Sequence, residues 1–204
     1  MDTLLQYWMT ILRDEKTVRP VFRTAAYQVS RIIAHQIAQK ISVQQMSIAT
    51  PIAATTGITF ASSPLLVPIL RSGLAMLPAF LDIFPDAPVG IVGLKRDEKT
   101  AIAHWYYENV PHFDPKNQIV ILDPMIATGG TGIETLTFLV QRGAQQKNIM
   151  YASIVSAPEG IELLRKEFPE INIICAVQDK GLTKDKFIIP GLGDFGDRFF
   201  GTEV

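Results

Sequence analysis

An aspartate stands at the end of the apolar run Val120-Ile121-Leu122, and five residues after it begins Thr128-Gly129-Gly130-Thr131, followed by a helical pattern. Apolar strand, short loop rich in Gly and Thr, helix: this order aims backbone N–H groups and hydroxyls at an anion. The first amides of a helix have no intrahelical acceptor, and the helix dipole favours negative charge beside them. Gly129 and Gly130 carry no Cβ, so the backbone can close on a phosphate. Thr128 and Thr131 add hydroxyl donors. Asp123 does not suit a phosphate, because like charges repel. It suits a sugar, whose hydroxyls donate to a carboxylate. Acid followed by anion cradle reads as a ribose 5-phosphate site. The same residues also suit an ordinary strand-to-helix turn in which Gly and Thr only cap the helix.

A cradle of this kind needs a sheet behind it, and the chain supplies the pieces. Residues 65–70, 89–94, 119–122, 148–155 and 171–177 are short apolar runs, the pattern of strands buried on both faces. Residues 17–39 carry Val21, Phe22, Ala25, Ala26, Val29, Ile32, Ile33 and Ile37 at helical spacing, with Thr17 as candidate N-cap. Residues 74–84 read as a helix with Pro78 as a kink or early-turn residue. Residues 132–141 read as a helix stopped by Gly143, and Pro158 opens a helix ending near Glu167. Strands alternating with helices predict an α/β fold with a doubly wound, mostly parallel sheet. Ligands of such sheets sit beyond the carboxyl ends of the strands. Arg71, Arg96 and Asp123 each follow a candidate strand there, and the Gly193-Asp194 loop can close on them.

Two long segments remain. Residues 95–117 are polar and contain Trp105-Tyr106-Tyr107. A stretch of that length is a functional lid or a plain hairpin whose aromatics pack back on the core. The tail from Gly181 is rich in Gly and aromatic residues and is expected to fold over the carboxyl edge of the sheet.

At 204 residues the chain suits one domain, and 48% hydrophobic content is compatible with a buried parallel sheet. Nineteen basic against 20 acidic residues, with no basic run, give no support to nucleic-acid binding. The single Cys175 excludes an intrachain disulfide and a Cys-based zinc site. It fits a reducing, cytoplasmic setting, as a thiol inside an apolar run. His35, His104 and His112 are too scattered for a metal site. No signal peptide is expected at the N-terminus. No run approaches the ~18 apolar residues of a membrane span.

The 120–131 stretch resembles the ribose-phosphate signature of the type I phosphoribosyltransferases, and its Asp123-Pro124-Met125-Ile126-Ala127-Thr128-Gly129-Gly130 form resembles the uracil branch, with Pro124 where other branches carry a second acid. Three further segments agree, in family order. Val67-Pro68-Ile69-Leu70-Arg71-Ser72-Gly73-Leu74 resembles the pyrophosphate loop. Gly93-Leu94-Lys95-Arg96-Asp97-Glu98 resembles the opening of the mobile loop. Ile189-Pro190-Gly191-Leu192-Gly193-Asp194-Phe195-Gly196-Asp197-Arg198 resembles the base-binding loop. The resemblance runs from about Leu12 to Thr202.

The resemblance implies a fold with a helical N-terminal arm over about residues 1–50, a mobile hairpin lid over about 95–117 and a base-binding hood over about 181–204. It implies transfer of phosphoribose from phosphoribosyl pyrophosphate to uracil. Arg71 and Arg96 would grip the pyrophosphate, although each also suits a surface ion pair. Asp123 would hold the ribose hydroxyls. Pro124, Met125, Ile126, Ala127, Thr128, Gly129, Gly130 and Thr131 would cradle the 5-phosphate. Asp194 would sit near the ribose or a magnesium ion, or serve only as a turn residue. Asp123, Arg71 and Asp194 are thus the catalytic candidates. Gly191, Gly193 and Asp194 would present backbone to a flat base, Ile188 would pack on its ring or in the core, and Phe195 would bear on pocket shape. Mg2+ would be carried mainly by the substrate rather than by protein ligands. A homodimer or larger oligomer and a GTP effector belong to the same expectation, with no nucleic acid and no membrane.

Lys95 and Phe195 depart from the family's usual residues. Three rivals stay open. Lys180, after Gln178-Asp179, keeps a purine substrate in view. An RNA-binding regulator of the same fold would need a basic face. A non-catalytic binding module would have little use for Asp123, Arg71 and Asp194 together.

Overall fold

The computed structural model describes residues 2–96 and 103–202. Two helices begin the chain. Helix α1 (Thr3–Arg13) is capped by the Asp2 carboxylate, which accepts from the Leu4 amide, and buries Leu5, Met9 and Leu12 along one stripe. Helix α2 (Arg19–Ala38) opens on Pro20 and buries Phe22, Ala25, Ala26, Val29, Ile33 and Ile37. Thr17 is not its cap. The N-cap is Val18, without a side-chain bond, and the Thr17 hydroxyl donates back to the Ile11 carbonyl at 2.7 Å.

The arm is not helical to residue 50. Strands β1 (Val43–Ala49) and β2 (Ala54–Phe60) form a separate antiparallel hairpin. The Thr50 hydroxyl shapes its turn by accepting from the amides of Ile52 and Ala53. β1 is exposed throughout, so it lacks the buried apolar run that marks the other strands.

The central sheet holds β3 (Leu65–Leu70), β4 (Ile91–Arg96), β5 (Ala103–Asn109), β6 (Ile119–Leu122), β7 (Met125–Ile126), β8 (Ile149–Ser156) and β9 (Asn172–Gln178). Every pairing is parallel except β4 with β5. β9 runs along residues 150–156 of β8, so β6 and β7 share its other edge: β6 beside residues 149–152, β7 beside Val155 and Ser156. They are one strand broken at Asp123-Pro124. The Pro124 carbonyl accepts from both Ile154 and Val155 across the break.

Alternate strand residues feed two cores. Leu66, Val120, Leu122, Met150, Ala152 and Ile154 pack with α1 and α2. Leu65, Val67, Ile69, Ile119, Ile121, Ile149 and Tyr151 pack on the other face with helices α4 (Gly130–Gln141) and α5 (Pro158–Glu167). Burial on both faces is why these strands read as continuous apolar runs.

The helix expected over 74–84 is shorter and broken. A turn of 3-10 helix spans Ser72–Ala75, and α3 (Leu77–Leu81) follows with Pro78 in its first turn. The tail forms a two-stranded ribbon, β10 (Gly181–Leu182) with β11 (Ile188–Ile189), and then α6 (Phe195–Phe200).

Candidate active site

Helix α4 begins at Gly130, two residues before the expected Gly132, so Gly130 and Thr131 lie in its first turn. Its N-cap is Gly129 at φ +84°, a left-handed conformation, and a Cβ there would lie 2.9 Å from the Gly160 carbonyl oxygen. Glycine is therefore required twice, by conformation and by space. The 12-residue helix aims its unpaired first amides at a cavity of about 170 Å³, lined by Asp123, Met125, Ile126, Ala127, Thr128, Gly129, Gly130, Thr131, Gly132 and Tyr151.

Asp123 sits at the break between β6 and β7, half-buried at the cavity wall. Its Oδ2 accepts from the Tyr151 hydroxyl at 2.8 Å and its Oδ1 from the Met125 amide at 3.4 Å. Burial pushes its carboxyl up to about 6, while those two donors pull it back down. Burial and the neighbouring charge of Asp123 push the Tyr151 phenol above its ordinary range.

A second cavity, of about 370 Å³, lies between this loop and the tail. It is lined by Met125, Ala127 and Lys186 to Ile188 on one side and by Pro190, Gly191, Leu192, Gly193 and Asp194 on the other. Met125 and Ala127 belong to both cavities, so the two open on a common wall. Gly191 at φ +64° needs glycine, since a Cβ would lie 2.3 Å from the Ile188 carbonyl oxygen. Ile188 is buried at the base of the hood cavity, and the Phe187 ring is 58% exposed at its rim. Asp194 is exposed, lines the cavity and caps α6 through the Asp197 amide at 2.9 Å, so the turn role and a place at the site coexist.

Arg71 lines a third cavity, of about 440 Å³, with Leu70, Leu94 and Tyr106. Its side chain is 56% exposed and makes a loose pair with Asp197 at 3.7 Å and a contact with Thr202 at 3.4 Å. An exposed pair of this kind holds the guanidinium weakly and leaves its fork free to turn to an anion. Arg96 ends β4, opposite Ala103 of β5, and its side chain lies outside the described residues. So do residues 97–102, the centre of the expected lid. Of the aromatic cluster behind them, Trp105 packs on Phe138 at 4.9 Å, whereas Tyr106 and Tyr107 are exposed.

Phe195 corrects the sequence reading. Its side chain is 1% exposed and packs against Phe22 at 5.4 Å and Phe199 at 5.8 Å, away from the hood cavity. The first turn of α6 rotates the ring into the face of α2, so it anchors the hood and does not shape the pocket. Lys180 is exposed and is not part of the cavity wall. Cys175, half-buried, has its thiol pushed up to about 11 by burial, as suits an unreactive group.

The sequence reading missed the groups that fasten the hood. The Arg13 guanidinium meets Asp179 in a two-pronged pair at 2.6 and 3.0 Å and donates to the Gly191 carbonyl at 2.8 Å. Asp179 also accepts from the Gly191 amide at 2.9 Å. Arg198 reaches the carbonyls of Leu12, Leu192 and Asp14 at 2.6, 2.6 and 2.7 Å. Only Asp179, an acid just past an apolar strand, left a mark in the sequence.

Against known proteins, the chain matches the family model described as uracil phosphoribosyltransferase over residues 1–202. It is 37% identical over 201 residues to the uracil phosphoribosyltransferase of Limosilactobacillus fermentum, covering 98% of this chain and 95% of the relative. The corresponding protein of Lactiplantibacillus plantarum is 40% identical over the same shares. A solved structure from Aquifex aeolicus superposes with a TM-score of 0.92 at 30% identity, covering 100% of this chain and 97% of that one. The adenine phosphoribosyltransferase of Trypanosoma brucei, solved with AMP, pyrophosphate and ribose 5-phosphate, superposes with a TM-score of 0.57 at 12% identity over 90% of this chain and 83% of that one, a likeness of fold.

Proposed function

This chain belongs to the uracil phosphoribosyltransferase family, and on that premise we propose that it transfers the 5-phosphoribosyl group from phosphoribosyl pyrophosphate to uracil, giving UMP and pyrophosphate. One observation carries the reading at the level of residues: an anion cradle and a backbone-lined hood cavity meet at Met125 and Ala127, with Asp123 beside the junction. A ribose lying across that wall puts its 5-phosphate on α4 and its C1′ toward the hood.

In the transfer, the C1′–O bond to pyrophosphate breaks and the C1′–N1 bond to uracil forms, through an oxocarbenium-like state. The N1 proton leaves to water or the departing pyrophosphate. Gly129, Gly130 and Thr131 hold the 5-phosphate through N–H groups, with the Thr128 and Thr131 hydroxyls beside them. Asp123 accepts from the ribose hydroxyls. Arg71, with Arg96, receives the pyrophosphate. The backbone of Gly191 to Asp194 reads O2, N3–H and O4 of uracil, and Ile188 supports the ring. Much of the acceleration then comes from positioning and from fixed charge. Asp194, an exposed hard-oxygen donor at the cavity edge, would help hold a magnesium ion carried with the substrate, which would supply charge neutralisation for the leaving pyrophosphate.

The test runs uracil, cytosine, hypoxanthine and adenine side by side with saturating phosphoribosyl pyrophosphate. Uracil is converted and cytosine is ignored, because cytosine reverses the pattern at N3 and C4, a mismatch worth about 10⁴ in a hydrogen-bonded site. Faster use of hypoxanthine or adenine overturns the pyrimidine reading. The RNA-regulator alternative is not favoured: the relatives carry the enzyme's name and the net charge is −1.

The same reading extends to a lid around β4 and β5 that orders when phosphoribosyl pyrophosphate and magnesium bind. Slower proteolysis at Arg96 or Lys99 in their presence checks it. It extends also to a homo-oligomer, supported by the exposed Val43, Met46, Ile48 and Ile58 of the hairpin, to GTP activation and to a cytoplasmic location. Sedimentation, assays with and without GTP, and fractionation decide these. Among the described residues no helix is long and apolar enough to cross a membrane.

A further inference from the structure

The wall of the cradle contains a group that the proposed reaction does not yet use. Tyr151 projects from β8 into the core beneath α4, is 1% exposed, and lies in register with Ile121 of β6. Its hydroxyl is 2.8 Å from Oδ2 of Asp123, and it is the donor, since a carboxylate only accepts. The same side chain lines the cavity with Asp123 and Thr128 to Gly132. Gly132 makes room for it: a Cβ there would lie 3.0 Å from Cε2 of the ring and 3.1 Å from its hydroxyl oxygen. Oδ1 of Asp123 takes the Met125 amide at 3.4 Å, a long contact that leaves accepting capacity for a ligand.

The geometry points to Tyr151 as a positioning residue for the transfer: its hydroxyl holds Oδ2 of Asp123 and so turns Oδ1 toward the sugar in the cradle. The inference rests on the reading of Asp123 as the ribose ligand. The bond also favours the ionised carboxylate, which is the form that accepts from sugar hydroxyls. Among the described residues, Tyr151 is the titratable side chain shown in contact with Asp123, and its own raised phenol keeps it a donor through the working range.

Tyr151→Phe removes the hydroxyl and keeps the ring. The measurement is kcat/KM for phosphoribosyl pyrophosphate, with uracil saturating, from about pH 5 to about pH 9, where kcat/KM reports groups of the free enzyme. The expected result is a loss of about tenfold at the alkaline end, the range for a hydrogen bond to a charged group. KM for uracil stays unchanged and the acid limb moves to higher pH. Tyr151→Phe added to Asp123→Asn costs little more than Asp123→Asn alone. Binding of ribose 5-phosphate by calorimetry gives a readout independent of turnover and falls in the same order. Wild-type kcat/KM in Tyr151→Phe, or a loss with an unmoved acid limb that persists in the Asp123→Asn background, overturns the positioning role while Asp123→Asn remains impaired. Wild-type turnover in Asp123→Asn overturns instead the reading on which the inference rests.

Discussion

The cradle and the hood both line a cavity with backbone, and they are held in place by opposite means. The cradle is the start of a 12-residue helix that buries Leu136 and Leu139 in one core, and it lies within a dozen residues of the strand that aims it. Its N–H groups point where the helix axis points. The hood is two-residue strands, a glycine loop and a six-residue helix, too short to fix their own position. Arg13 and Asp179 fix them from outside, and Arg198 reaches out of α6 to the carbonyls of Leu12 and Asp14, with Phe195 pinned on Phe22. On the proposed function the phosphate is the constant part of the substrate, which a stiff local device would serve. The base is the part that would be read by a surface hung on side-chain contacts that substitution can retune.

Phe195→Ala strikes the hood hardest. Removing a ring that is 1% exposed costs about 3–5 kcal/mol of stability. Thermal unfolding measures it, and ribose 5-phosphate binding to protein that remains folded stays near wild type. An unchanged Tm contradicts the anchoring role. Asp123→Asn strikes the cradle. Turnover falls by about two orders of magnitude, near 3 kcal/mol.

The same variant carries a pH signature. The folded carboxyl titrates at about 6 against an ordinary 3.8, so the native state binds the proton more tightly than the unfolded chain. That contribution to stability is full below the unfolded value and is lost as pH rises through about 6. Asp123→Asn therefore melts higher than wild type at neutral pH, by about 1–3 kcal/mol, and the advantage disappears near pH 4. An advantage that grows on acidification contradicts the burial of the charge. Arg13→Lys gives the smallest effect. A lysine cannot span Asp179 and the Gly191 carbonyl with one planar fork, so KM for uracil rises by about five- to tenfold, near 1 kcal/mol, with KM for phosphoribosyl pyrophosphate nearly unchanged. Equal rises in both would mean that the clamp supports the whole site.

The cradle was legible in the chain because its parts are neighbours: an acid at a strand end, two glycines, two threonines and a helical pattern all lie between Asp123 and Gln141. The parallel strands were legible because burial on both faces leaves runs without polar interruption. The β1–β2 hairpin was not, because an exposed strand bearing Gln44, Gln45 and Ser47 shows no buried face. Thr17 looked like a cap because cap and turn threonines share one preference, and a carbonyl at Ile11 claimed its hydroxyl first. Phe195 was misplaced for a different reason. Its partner Phe22 is far away in sequence, and nothing beside it tells which face of a short helix turns inward. Tyr151 was concealed by its own ring, which reads as one more apolar residue of a strand.

Arg13 and Arg198 join the two ends of the chain, through bonds that span 166 to 186 residues. Contacts so distant in sequence form late, since the loop between them must close first. During synthesis the sheet and the cradle can assemble first, but the hood cavity closes only once Arg198 has emerged and docked on the carbonyls of Leu12 and Asp14. In the finished protein the order reverses: the hood can open as a local unit while the sheet stays shut. Hydrogen exchange reads this directly. The Gly191 amide, held by the Asp179 side chain, exchanges faster than the β8 amides of Tyr151 and Ala152, and fastest when Arg13 is replaced.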